Sequence, residues 1–158
     1  MKSNWPAIFV AVLLIGLSIW AIVVQIKESH LQDDPKLKEL REVLKPLFSK
    51  DKTFTGNLSS LNNRNVLDEI GLYKGSRSYT INKEKVFICL RDENGEYYNL
   101  NLLVYVTLHE ISHVICQSVG HTDEFHAIFE DILVKATEEG IYNPSIPIDQ
   151  DYCTKTPE

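Results

Sequence analysis

The chain has 158 residues and a formal net charge of −6, with 44% hydrophobic and 24% charged residues. That length supports one domain with its own core, and the balance of apolar and charged residues is that of a folded protein, not a disordered one. An acidic chain with no run of Lys and Arg lacks the electrostatic footprint of a nucleic-acid groove, so nucleic acid is not an expected partner.

From Pro6 to Ile26 the chain carries no formal charge over 21 residues, enough helix to cross a bilayer core about 30 Å thick. The competing reading is a cleaved signal peptide. The apolar run exceeds a usual signal core, however, and AIVVQIKES offers no small-x-small cleavage site. The expectation is a transmembrane anchor over residues 1–27 and a domain over 28–158, including an extended tail from 141. Lys27, Lys36, Lys38 and Arg41 follow the apolar run and only Lys2 precedes it, which points the domain to the cytosol in a single-pass membrane protein. Asn57-Leu58-Ser59 is a glycosylation acceptor pattern that matters only on the opposite side.

KESHLQDD reads as a linker into a helix with Asp34 as N-cap, Pro35 in its first turn and Leu37, Leu40, Leu44 and Leu47 on one face, ended by Pro46. Lys50 to Asn65 reads as loop, and Val66 to Leu72 as a short helix closing near Gly71. Tyr79–Ile81 and Val86–Leu90 read as strands, the latter followed by a turn at Glu93-Asn94-Gly95 and a short Tyr97-Tyr98 segment. Helical spacing returns over 102–118, with Gly120 placed to close that helix. It returns again over 123–139, with Thr122 as N-cap, Phe125, Ile128, Phe129, Ile132, Leu133 and Ala136 on the buried face, and Gly140 as the stop. Pro144, Pro147 and Pro157 keep the tail out of helix.

Three cysteines, Cys89, Cys116 and Cys153, cannot all pair within one chain, and none forms a CxxC unit. Cys89 and Cys116 read as small buried apolar residues, and Cys153 as free or able to cross-link.

The chemistry is concentrated in Leu108-His109-Glu110-Ile111-Ser112-His113, an HExxH motif on the first of the two later helices. Histidines at i and i+4 share a helix face, so both imidazoles can reach one Zn²⁺ at about 2.0 to 2.1 Å. The carboxylate of Glu110 is rotated about 100° from His109, beside the metal and not on it. There it can take a proton from the water that zinc activates and pass it to a leaving amine. A catalytic zinc takes three protein ligands and keeps one open position. His121, in the turn after Gly120, is the candidate for the third. His126 is the rival, and Glu130, Glu138 or Glu139 a further option; His30 reads as linker. Tyr142, Tyr152 and His126 are candidates for stabilising an oxyanion.

Ile88-Cys89-Leu90-Arg91, the HEISHV helix, and then Gly120-His121-Thr122-Asp123-Glu124-Phe125 with Phe129 and Leu133 resemble the minimal zinc proteases of the SprT-like and WLM types, over roughly Thr80 to Leu133. The resemblance implies a zincin-like α+β fold with an active-site helix, a second helix and a short β-sheet. It also implies His121 as third ligand packed by Phe125, and a strand such as Val86–Leu90 that pairs with an extended substrate. The DNA-associated roles of such relatives do not fit the acidic charge and the anchor. The expected function is a zinc-dependent metalloendopeptidase with one Zn²⁺ per chain, protein or peptide substrates, His109, His113 and His121 as ligands and Glu110 as base. The alternative is a membrane-tethered zinc-binding interaction module without activity.

Overall fold

The computed structural model describes residues 5–149 and 151–153, without the side chains of Pro6 and Ala7. Lys2 and Pro157 lie outside the described residues. The first helix, α1 (Trp5–Gln32), is 28 residues long, and from Ile8 onward it is long and apolar enough to cross a membrane, with its apolar side chains exposed. It runs straight through the stretch expected as a linker, because Lys27 to Gln32 contain no Gly or Pro to interrupt the backbone hydrogen bonds. Only Asp33 and Asp34 separate it from α2 (Pro35–Leu44). Asp34 caps α2 as expected, its carboxylate accepting from Lys36 N at 2.9 Å. An ion pair between Glu28 and Lys85 ties the end of α1 to the sheet.

Two local expectations need correction. The segment read as loop contains a 3-10 helix, Gly56–Leu61, whose Leu58 and Leu61 enter the core. The helix at 66 is one turn, α3 (Val66–Glu69), and Gly71 and Leu72 belong instead to strand β1 (Gly71–Lys74). Burial of Leu72 and Tyr73 between the helices and the next strand overrides the helical continuation. The chain then turns at Gly75, where a Cβ would sit 2.6 Å from the Arg77 carbonyl oxygen, so only glycine fits. β2 (Tyr79–Ile81) and β3 (Lys85–Ile88) follow.

The sheet order is β1-β3-β2, with β1 parallel and β2 antiparallel to β3. The strand at Val86, expected to border the cleft, is therefore the central one, with both backbone edges already paired. Among the described residues β2 is the edge strand beside the site.

Helix α4 (Leu100–Ile115) is buried nearly all round, packed between the sheet and α5 (Asp123–Glu138). Thr122 caps α5, accepting from Phe125 N at 3.3 Å, and the expected face of α5 is buried, with Leu133 at its margin. Gly140, at φ +69°, ends it in the left-handed region. The architecture is α+β: a long apolar N-terminal helix, a three-stranded mixed sheet and two packed helices.

The tail follows α5 closely. Ile141 and Tyr142 N–H both donate to Ala136 O, and Asn143 and Asn101 exchange two hydrogen bonds across the start of α4. Cys153 forms a disulfide with Cys89. Cys89 is thus buried as read, but as half of a cystine, because the tail folds back over the sheet; Cys116 is the free buried thiol.

Candidate metal centre

His109 and His113 lie one turn apart on α4, their ring centroids 5.1 Å apart. His121 reaches them from the α4–α5 loop, with its Nε2 3.0 Å from His109 Nε2, and one nitrogen from each ring falls within 4.8 Å of the others. Two nitrogens bound tetrahedrally to one zinc at about 2.05 Å stand about 3.3 Å apart, so the cluster has the spacing a metal ion needs. Burial, then the neighbouring His113, His121 and His126, pushes the His109 imidazolium down to about 4. His113 is lowered too, first by burial. Near neutral pH both rings are unprotonated and present lone pairs, the form that ligates metal. The three histidines could hold a metal ion.

The loop that delivers His121 is held by polar contacts. Lys83 donates to the carbonyls of Cys116 and Gln117 at the end of α4. The Glu124 carboxylate accepts from Gln117 N at 2.9 Å, Ser118 N at 3.1 Å and Ser118 Oγ at 2.6 Å. The Ser118 hydroxyl and then these two amides lower the Glu124 carboxyl to about 2. From the first turn of α5, the Phe125 ring stacks on His113 at 4.2 Å and meets His109 and His121 edge-on at 4.9 and 4.8 Å. One apolar side chain therefore braces all three imidazoles.

Glu110 lies beside the cluster, 6% exposed. Thr80, on β2, donates from Oγ1 to Glu110 Oε2 at 2.8 Å and is 3.1 Å from the Glu110 backbone carbonyl. Burial raises the Glu110 carboxyl, and the Thr80 hydrogen bond partly offsets that. A groove of about 650 Å³ runs along β2 past Glu110 and all three histidines.

The rival ligands stand apart. His126 is exposed, with its ring 6.4 Å from that of His121 and outside the cluster. Glu130 is exposed, while Glu138 and Glu139 pair with Lys135 and Lys52. Of the oxyanion candidates, Tyr142 is buried against Tyr105, and only Tyr152 lines a pocket with His109 and Glu110. Burial holds its phenol above the usual value. Thr80, Glu124 and the Cys89–Cys153 bond were not foreseen. Each acts across a gap in sequence that no local period encodes.

Fold and site together define an α+β protein with a His-triad candidate metal centre on and beside a buried helix. The chain belongs to one family with the relative named "Uncharacterized protein 136R" of Invertebrate iridescent virus 6, 43% identical over 119 residues, which are 73% of this chain and 67% of that protein. It is also similar to "Uncharacterized protein 042R" of Invertebrate iridescent virus 3, at 38% over 100 residues, 63% of each chain. A third relative, "Uncharacterized protein R325" of Acanthamoeba polyphaga mimivirus, is 30% identical over 116 residues, 69% of this chain and 58% of that one. The match thus spans about two thirds or less of each relative's length. No protein-family model and no solved structure matches the chain.

Proposed function

We propose that this chain is a zinc-dependent metalloendopeptidase held at a membrane by α1, with His109, His113 and His121 as ligands and Glu110 as general base. The observation that carries the reading is the convergence of three imidazoles within 4.8 Å next to a buried carboxylate that is not one of the cluster. The likeness of the HExxH and His-x-x-x-Phe segments to SprT-like and WLM proteases supports it. Zinc bound there would polarise a scissile carbonyl and acidify a water molecule.

The chain's own groups supply the rest. Thr80 holds Oε2 of Glu110 and leaves Oε1 for the proton, and burial makes the carboxylate a stronger base than a solvated one. Glu110 then returns that proton to the leaving amine. The edge of β2 offers an extended substrate backbone a strand to pair with, next to Glu110. Among the described residues the cluster contains three ligands and no fourth, which favours an open, catalytic site over a closed structural one.

The side of the membrane follows from weighing two signals. The count of Lys and Arg after the apolar run favours the cytosol. The Cys89–Cys153 bond favours an oxidising compartment, because cytosolic thiol buffers keep such pairs reduced. A covalent bond outweighs four dispersed charges, and we infer that the domain lies on the oxidising side.

The deciding experiment is hydrolysis of an unfolded protein by the full-length, detergent-solubilised chain. Cleavage should appear with about one zinc bound per chain, vanish on chelation and return with zinc. Cleavage that persists in the stripped protein, or none by the loaded protein, sinks the protease reading.

A further inference from the structure

The C-terminal tail does more than cover the sheet. Tyr152 O–H donates to Cys89 O at 2.7 Å and shares a 2.6 Å hydrogen bond with Ser78 Oγ. Cys153 N donates to Tyr98 Oη at 3.1 Å, and the rings of Tyr98 and Tyr152 stand 4.9 Å apart. The disulfide to Cys89 fixes the same point covalently. These contacts hold Tyr152 and Cys153 against a second pocket of about 530 Å³, walled also by Tyr105 and Val106 of α4 and by His109 and Glu110. Ser78, His109 and Glu110 also line the groove that contains the full histidine cluster, so the two spaces meet at the proposed base.

A peptide extended along β2 would cross from one space to the other at Glu110. A side chain next to the reacting bond would then enter a pocket lined by Tyr105, Tyr152, Val106 and Cys153 and otherwise by Arg77, Ser78, His109 and Glu110. The tyrosines, the valine and the cystine offer an apolar surface, and the volume admits a ring. We propose that the disulfide-latched tail is a working part of the substrate cleft: Tyr152 and Cys153 complete a pocket that selects a large apolar or aromatic residue beside the cleaved bond. This rests on the protease reading above.

The test separates binding from cleavage. Full-length, zinc-loaded Glu110→Gln protein in detergent is titrated with short dye-labelled unstructured peptides, identical except that Phe, Ala or Asp is scanned through the sequence. At one position Phe should bind about 10-fold tighter than Ala, the discrimination expected of an apolar pocket. Adding Tyr152→Ala, or Cys89→Ser with Cys153→Ser, should shrink that preference several-fold while zinc content stays unchanged. Val106→Phe fills the pocket from the rigid helix and should shift preference towards Ala; it decides the matter if a tail variant fails to fold. An unchanged Phe preference in folded Tyr152→Ala and Val106→Phe proteins overturns the proposal, as does no positional preference in the parent. Peptides bound with the expected preference but left uncut by the wild type would sink the protease reading and leave the pocket standing. Cleavage without preference would do the reverse.

Discussion

Replacing Glu110 by Gln changes one group and, on the protease reading, should move activity and stability in opposite directions. For activity, Gln keeps the shape of the side chain and an oxygen to accept from Thr80, but it cannot take a proton. Loss of a general base costs on the order of 10²–10⁴ in rate, about 3 to 5 kcal/mol of barrier. For stability, burial raises the Glu110 carboxyl above the ordinary 4.5, so the folded chain holds that proton more tightly than the unfolded one does. The cost of ionising it is absent below about 4.5 and grows as pH rises through the folded value. Gln carries no such cost. Metal-free Glu110→Gln should therefore melt at or above the wild-type temperature at pH 7, with the difference closing towards pH 4. Hydrolysis by the zinc-loaded variant should meanwhile fall to background. Matched kcat/KM and thermal scans, with zinc content measured alongside, check both halves. Equal turnover refutes the catalytic role; lost zinc, or a lower melting temperature at pH 7, refutes the placement of Glu110 beside the metal as a group the fold does not need.

Three further outcomes follow from the same geometry. His121→Ala should weaken zinc binding by more than the roughly 10–100-fold typical of losing an outer partner, whereas His126→Ala should leave it nearly unchanged; competitive chelator titration reads the contrast. Glu124→Gln should lower the melting temperature near neutral pH by loosening the loop at Gln117 and Ser118. Because the folded Glu124 carboxyl is depressed to about 2, its contribution is complete above about 4.5 and disappears as pH falls towards 2, so the two proteins should converge over that window. A gap that persists at the acid end would show that the carboxylate is not the cause. Reducing Cys89–Cys153, which spans 64 residues, should cost up to about 4 kcal/mol in the chain-entropy description, read as a lower urea midpoint. An unchanged midpoint would mean that the tail is held by its hydrogen bonds alone.

What the sequence made legible was what repeats or contrasts locally. The HExxH spacing, the Thr122 cap, the apolar face from Phe125 to Ala136 and the Gly140 stop are all encoded within a turn or two of helix, and the structure has the caps, face and stop as read. The position of His121 was readable only as a turn between two such helices. What closes it onto His109 is the grip of Lys83 and Glu124 on the loop, and Lys83 lies 33 residues before the carbonyl it binds. The order of the strands was not legible, because Val86–Ile88 looks equally buried whether it borders the cleft or is covered on both edges. Nor was the cystine, since three cysteines leave three possible pairs and only the return of the tail selects one.

The same distinction separates the proposed base from the other buried polar groups. Among the described residues four polar or charged ones are buried: Asp34, Thr107, Glu110 and Ser112. Asp34 caps α2, and Thr107 and Ser112 return their hydroxyls to the carbonyls of Leu103 and Leu108 one turn back, so three of the four are accounted for by backbone hydrogen bonds. Glu110 caps nothing, and no salt bridge engages it among the described residues; its hydrogen-bond donor is a threonine from the edge strand, 30 residues away. An unpaired buried carboxylate destabilises a fold, and an apolar residue there would have matched the rest of α4. A helix otherwise committed to packing therefore retains one costly group, beside three converging imidazoles and at the meeting point of two grooves. A structural role leaves that placement unmotivated, whereas the proposed proton transfer would use it.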